Sequence, residues 1–445
     1  MSRSPEERSL DRKIWAYALP SLATLIAQPL LLTADTTMVG RLGTTPLAGL
    51  ALASTLLGTL VGLCIFLTYA TTAATGKLFG AGDRAGAARQ GIEGLWLAAG
   101  IGAALALVLA VFAQPIVAWF GAEPAAAGQA VRYLRASAPG LPGMLVVLAA
   151  TGTLRGFGDT KRPLYAATSG ALANIPVNYV LIYPAGLGVA GAGAGTALVE
   201  TAMGAWLTLA IVRIARQSGA SLTPSRSGTL SALNQAWPLV LRTACLRAAI
   251  IVQIATATHI GVEALAANQI AMTIWNFAAN GLDCLAIAAQ ILVSNAMGAK
   301  SVGAGGDIQM VLGRCLRFGV LTGAGLGLAL ACSSALIPAA MTADGQVRAL
   351  AMRALITIGC CLPIASVAYI LDGVLMGAQD TRRLAWYMLV SLATFAPLAA
   401  AIFAAGGSLA DSALLVALWI AYGGLFMAVR GGTMLVRSRS GEPFE

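Results

Sequence analysis

The sequence predicts an all-α polytopic membrane protein: twelve transmembrane helices in two six-helix bundles, related by a pseudo-two-fold axis along the membrane normal. Three observations carry this expectation. Of the 445 residues 58% are hydrophobic and 10% charged, with a mean hydropathy of +0.80. A soluble domain carries about a quarter charged residues. Apolar runs of roughly 20 residues recur from end to end, each able to cross a hydrocarbon core of about 30 Å. The chain also repeats itself. Gly152-Thr-Leu-Arg-Gly-Phe-Gly-Asp159-Thr-Lys-Arg162 returns 221 residues later as Gly373-Val-Leu-Met-Gly-Ala-Gln-Asp380-Thr-Arg-Arg383, with six of eleven positions identical. A weaker match sets residues 43–49 against 261–267, 218 residues on.

In chain order, Met1 to Lys13 is polar and charged, and the apolar run behind it is too long for a signal-peptide core, so no cleavable signal is expected. Twelve spans follow, at roughly 14–40, 47–76, 92–118, 128–153, 162–183, 188–213, 235–258, 264–296, 310–337, 348–376, 384–405 and 411–433. Basic residues sort between them, 21 on the side that holds the N-terminus against five on the other. That bias places both termini in the cytoplasm, in a plasma (inner) membrane. Residues 1–216 then form the first bundle, 217–234 a polar, Ser-rich cytoplasmic linker, and 235–445 the second bundle. An even number of spans per half makes the repeat a parallel one, and two such bundles leave a cleft near the midplane. This is transporter architecture.

Other classes find little support. The net charge of +10 lies between apolar spans, where topology accounts for it better than nucleic acid does. Gly76-Lys77 lacks the upstream glycine of a phosphate-binding loop. Gly186-Leu-Gly188-Val-Ala-Gly191 opens a membrane span with no strand before it, so helix packing explains it better than dinucleotide binding. His259 is the only histidine, which argues against zinc sites and His-based catalysis. The seven cysteines lack metal-ligand spacing and read as small core residues. No enzyme activity and no cofactor are expected.

The informative residues are polar ones at membrane depth, where a charge costs a few kcal/mol and marks a functional candidate. Asp35 stands in the first span, with Pro20 and Pro29 before it to bend or tilt the helix. Asn174 and Asn178 share a face of span five, and Thr196 and Glu200 lie one turn apart near the start of span six. Asp35, Asn178, Thr196 and Glu200 fall at comparable depth in the first half, and together with Asn174 they form a candidate proton- or cation-coupling site. Glu200 reads either as a second titrating group or as the partner of a basic residue. In the second half Asp283 and Asp372 lie deep in spans eight and ten, with Arg242 and Arg247 of span seven as natural partners. Those four read as a salt-bridged gate or a static pair. Asn268, Met272, Trp275 and Asn276 are candidates for the cleft lining, or for packing. At the 218-residue offset Asp35 falls on Gln253, so the second half has no carboxylate there.

Asp35-Thr-Thr-Met-Val-Gly-Arg-Leu-Gly43, Leu265-Ala-Ala-Asn-Gln269 and the two Gly-x-x-x-Gly-x-x-Asp-Thr turns resemble the MATE (multidrug and toxic compound extrusion) transporters over essentially the whole chain. Arg242-Thr, Leu282-Asp283 and Leu371-Asp372-Gly373 resemble the DinF-like branch most. The resemblance implies export of organic, often cationic, compounds in exchange for protons or sodium ions, with Asp35 at the family's coupling aspartate. The family often has an acid where Asn178 stands, and sodium-coupled members carry one near Leu246-Arg247. Both departures point to protons: sodium seeks several oxygen ligands, whereas a proton needs one carboxylate of tuned affinity. Small organic substrates and the bilayer are the expected partners, with no nucleic acid, and the chain is expected to be a monomer. A lipid-linked precursor flippase of the same superfamily, a sodium-coupled exporter and a non-transporting receptor are the alternatives.

Overall fold

A computed structural model describes residues 5–121, 123–224, 226–303, 307–406 and 409–444, with side chains undescribed at 28, 30, 31 and 226–236. Among the described residues twelve long helices follow one another: α1 (Pro5–Gly40), α2 (Thr44–Gly80), α3 (Arg84–Trp119), α4 (Pro124–Gly156), α5 (Lys161–Ile182), α6 (Val189–Gln217), α7 (Arg226–Ile260), α8 (Val262–Ser301), α9 (Ile308–Ser333), α10 (Gly345–Gly377), α11 (Thr381–Ala404) and α12 (Asp411–Arg439). Eleven are long and apolar enough to cross a membrane. The twelfth is α5, whose 22 residues suffice in length but whose hydropathy is lowered by Asn174 and Asn178. The polarity that hides this span is the polarity that equips the site.

Three helices are interrupted where the sequence weakens the backbone ladder. Helix α2 breaks at Cys64–Ile65 and α4 passes through a 3-10 turn at Ala138–Gly140, which contains Pro139. Helix α12 widens into a seven-residue π segment, Ile420–Phe426, across the pair Gly423-Gly424. The Ser-rich seam shortens, because α7 starts at Arg226 and only 218–225 separates it from α6.

Packing divides the described chain into two compact units, and they do not follow the halves end to end. The N-unit holds Leu19–Ala236 together with the end of α8 from Ser294. The C-unit holds the start of α1 through Ala18, Trp237–Val293, and the chain from α9 onward. Within the C-unit the start of α1 is clamped by Arg314, whose Nε donates to Asp11 Oδ1 at 2.8 Å, and Trp15 meets Phe318 edge-on at 5.7 Å.

The repeat has a steric explanation. In the N-unit a Cβ on Gly152 of α4 would strike Thr68 and Thr71 of α2, and one on Gly156 would lie 2.9 Å from Thr72 O and Gly76 N. In the C-unit Gly373 meets Ala286 O of α8, and a Cβ on Gly377 would lie 2.7 Å from Gln290 O. Small residues four apart let membrane helices touch backbone to backbone, so both copies keep them. Each helix then stops the same way, with Gly158 (φ 77°) or Gln379 (φ 63°) in the left-handed region. Asp159 N donates to Leu154 O and Asp380 N to Leu375 O. These motifs are helix crossings and turns.

A third crossing joins α2 to the end of α8 inside the N-unit. Gly76 faces Ser294, Gly80 faces Asn295 O, and Gly298 faces Lys77 O. The facing residues are related by the same 218-residue offset (76 to 294, 77 to 295, 80 to 298), so this crossing is symmetric in sequence. The Asn295 amide, oriented to donate, reaches Gly76 O at 2.8 Å and Gly156 O at 3.2 Å. It thereby caps carbonyls at the ends of α2 and α4. Three basic residues counted above as flanking, Arg155, Arg314 and Arg430, are instead buried, which leaves the bias at 18 against five.

Candidate functional site

The N-unit gathers its polar residues around Asp35. Helix α1 carries that carboxylate to a position only 5% exposed, where Oδ1 accepts from Asn178 Nδ2 at 2.6 Å. The same amide donates to Asn174 Oδ1 at 2.9 Å, one turn away on α5. Both asparagines are fully buried, and Asn178 Oδ1 has no hydrogen-bond partner among the described residues. It faces Gly195 of α6, where a side chain would collide with it. Thr196 follows, its hydroxyl donating to Ala192 O at 3.0 Å and lying beside the Asp35 carboxylate. Asp35 has no ion pair among the described residues. A buried carboxylate held only by neutral donors can change its charge without stranding a cation.

Asp35, Asn174, Asn178 and Thr196 therefore belong to one neighbourhood, two tyrosines join them, and Glu200 is linked to the group through one of these, Tyr133. Tyr133 of α4 is buried within electrostatic reach of Asp35, Thr196 and Glu200. Tyr183, at the end of α5, donates to Met38 O at 2.8 Å and fixes α1 just past Asp35. Neither stood out in the sequence. Tyr133 sits between Arg132 and Arg135, which read as a flanking basic pair. Glu200 is partly buried on α6 and forms no ion pair or hydrogen bond among the described residues, so the basic partner considered for it is not found there.

The C-unit arranges its polar residues differently. Asp372 is paired twice: Arg242 donates Nε to Oδ1 at 3.0 Å and Nη2 to Oδ2, and Arg430 Nη2 reaches Oδ2 at 3.0 Å. The Arg430 guanidinium also lies over Tyr369, 5.4 Å from the ring centroid. Arg247, expected as a partner for these acids, is exposed and forms no ion pair among the described residues. Its place is taken by Arg430, which arrives from the last helix, a partner that no local pattern reveals. Asp283 is partly buried, in the field of Asp372, Arg242 and Arg430 but without an ion pair among the described residues. Gln253 and Asn268 satisfy one another, at 2.7 and 3.2 Å. Met272 and Trp275 are core residues, the latter packed against Trp419 and Tyr422 at 5.8 and 5.6 Å, and Asn276 is exposed.

A chain with enough apolar helices for many crossings, built from two repeat-related sets of six with an uncompensated buried carboxylate in one, is a multi-pass membrane transporter. The family model described as MatE matches it twice, over residues 20–180 and 238–401, once in each half. The protein belongs to the MATE family and is a DinF-like member of it. It is 28% identical over 396 residues to DNA damage-inducible protein F of Escherichia coli (strain K12), covering 87% of this chain and 85% of that one. Against Protein DETOXIFICATION 44, chloroplastic, of Arabidopsis thaliana it is 29% identical over 405 residues, covering 86% and 74%. The fold matches the crystal structure of the Vibrio cholerae MATE transporter VcmN in the bent form, with a TM-score of 0.87, 18% identity, and coverage of 99% and 100%. A MOP superfamily transporter from Pyrococcus furiosus matches at a TM-score of 0.85, 18% identity, and full coverage of both chains. Those structures have twelve helices in two bundles, which is the fold expected from the sequence.

Proposed function

We propose that the protein exports small organic compounds, cationic or amphipathic, in exchange for protons by alternating access. Membership of a multidrug-type efflux family supports export. One observation favours the proton: Asp35 is buried, carries the only formal charge in its hydrogen-bonded set among the described residues, and is held by the Asn178 amide beside the Thr196 hydroxyl, both neutral. A proton neutralises such a carboxylate outright and releases the Asn178 amide, giving α1 two states of different hydrogen bonding. In this reading Asn174, Asn178 and Thr196 position the carboxylate, and Tyr183 holds the helix that bears it. The protein works as a monomer in the plasma (inner) membrane, with both termini cytoplasmic.

The test is flux in proteoliposomes holding purified protein, with pH and sodium gradients imposed one at a time and a panel of organic cations as probes. The expected result is accumulation driven by a pH gradient in the absence of sodium. Accumulation driven by sodium at constant pH, and not by pH alone, overturns the proton assignment. A flippase gives neither.

A further inference from the structure

Glu200 is the one acidic side chain of the N-unit neighbourhood that the coupling described above leaves unused. Its place is set by how α5 packs on α6. Gly191 meets the backbone of Leu181 and Ile182, with a Cβ there 2.6 Å from Leu181 O. Gly195 meets Asn178, and Gly170 meets Met203. These contacts fix an antiparallel register in which every step along α5 is a step back along α6. Asn174 then lies level with Val199, and Glu200 is the next residue. Thr196 and Glu200, four apart, share one helix face. The amide chain from Asp35 through Asn178 to Asn174 thus runs toward the level of Glu200, about 7–8 Å along the helix axis from the level of Asn178.

The charges around this carboxylate are few. Tyr133 of α4 is in electrostatic reach of Glu200 and also of Asp35 on α1, while α5 offers the neutral amides of Asn174 and Asn178. Among the described residues neither carboxylate forms an ion pair. Two uncompensated negative charges at membrane depth each cost several kcal/mol. Each has to be matched by a positive charge whenever the site is closed to water, and the amides cannot supply it.

We propose that Glu200 is a second proton carrier of the coupling site, so that each cycle exchanges two protons, one on Asp35 and one on Glu200, for one molecule of substrate. This rests on the proton-antiport reading above. Both carboxylates take a proton from the outer side, cross neutral, and release it inside. Glu200 supplies, from α6, the second acid that is absent at Asn178.

Stoichiometry tests this in proteoliposomes with the membrane potential clamped at zero by potassium and valinomycin, and tetraphenylphosphonium and ethidium as probes. At a pH gradient of one unit, each coupled proton multiplies the equilibrium accumulation by about ten. The wild type is expected to concentrate the probe about a hundredfold and Glu200→Gln about tenfold, while Glu200→Asp keeps the hundredfold value. Infrared difference spectra of the same proteins should show a titrating carboxyl C=O band that is present in the wild type and lost in Glu200→Gln, and a separate one lost in Asp35→Asn. Tenfold accumulation by the wild type, or no change on Glu200→Gln, overturns the second carrier and leaves single-proton antiport standing. No pH-driven accumulation by the wild type overturns the antiport reading and this proposal with it.

Discussion

Replacing Asp372 by Asn removes one charge from a cluster that holds two arginines. The carboxylate accepts from Arg242 through both oxygens and from Arg430 at 3.0 Å, and all three side chains are at most 7% exposed. Breaking a buried ion pair by deleting one partner costs about 3–5 kcal/mol, because the other charge stays buried without compensation. Here two guanidiniums are left, with Asp283 the remaining acid in their field, so we expect about 4 kcal/mol, close to a thousandfold in the folding equilibrium. Arg430→Met removes its own charge along with one contact to Asp372, and leaves the paired contacts of Arg242 in place. Its expected cost is about 1–2 kcal/mol, and the double variant should fall short of additivity by a similar amount. The assay is unfolding in mixed micelles with rising dodecyl sulfate, followed by tryptophan fluorescence, to which the adjacent Trp275 and Trp419 contribute. A loss under about 0.5 kcal/mol for Asp372→Asn, or a larger loss for Arg430→Met, would refute the reasoning.

Three further expectations follow from other parts of the molecule. Asp35→Asn should abolish pH-driven export with unfolding unchanged, whereas Gln253→Ala at the matching place should cost about 1 kcal/mol of stability through the Asn268 amide and slow export only mildly; equal losses of flux would contradict the asymmetry. Gly298→Leu should destabilise by about 1–3 kcal/mol, because the side chain enters the space of Lys77 O and a Cβ alone comes 2.7 Å from Ala81 N; an unchanged unfolding midpoint would show that the α2–α8 crossing is dispensable. Cysteines placed at Ser227 in the first turn of α7, at Ser440, and at Ser4 outside the described residues should resist an impermeant thiol reagent added from outside intact cells, and labelling at any of them would overturn the cytoplasmic assignment of the termini and of the α6–α7 connection.

Much of this was legible in the sequence because hydropathy acts on long stretches. Twelve spans could be counted even though α5 falls short on composition, since length and flanking charges still marked it. The repeat was legible as identity, and its cause became visible only as contact: Gly152 against Thr68 and Gly373 against Ala286 are steric facts no spacing expresses. Around Asp35, depth arithmetic brought Asn178, Thr196 and Glu200 to one level because each step of 1.5 Å along a helix is fixed. Partners on distant helices escaped the same arithmetic. Arg430 looked like a flanking cation because it stands near the inner end of the last span, and its approach to Asp372 depends on how α12 lies beside α10. Trp275 was a candidate for cleft lining, though an aromatic and Met stripe is more often packing, and Trp419 and Tyr422 are packed against it.

The two halves share a scaffold and divide the chemistry, and hydrogen-bond accounting gives a reason for the division. Protonating Asp372 would strand Arg242 and Arg430 in a buried place, at a cost comparable to deleting the carboxylate. Gln253 and Asn268 carry no charge to change, and each already satisfies the other. Asp35 differs on both counts. It takes up a proton without orphaning a cation, and the Asn178 amide it releases still holds Asn174. The neutral state is therefore accessible in the N-unit at the cost of one hydrogen bond, about 1–2 kcal/mol, while in the C-unit it costs about 3–5 kcal/mol. A gradient of one pH unit supplies about 1.4 kcal/mol per proton, comparable to the first cost and well short of the second. On these magnitudes, and on the proton-antiport reading proposed above, the N-unit is where a proton gradient would act, because protonation there strands no arginine.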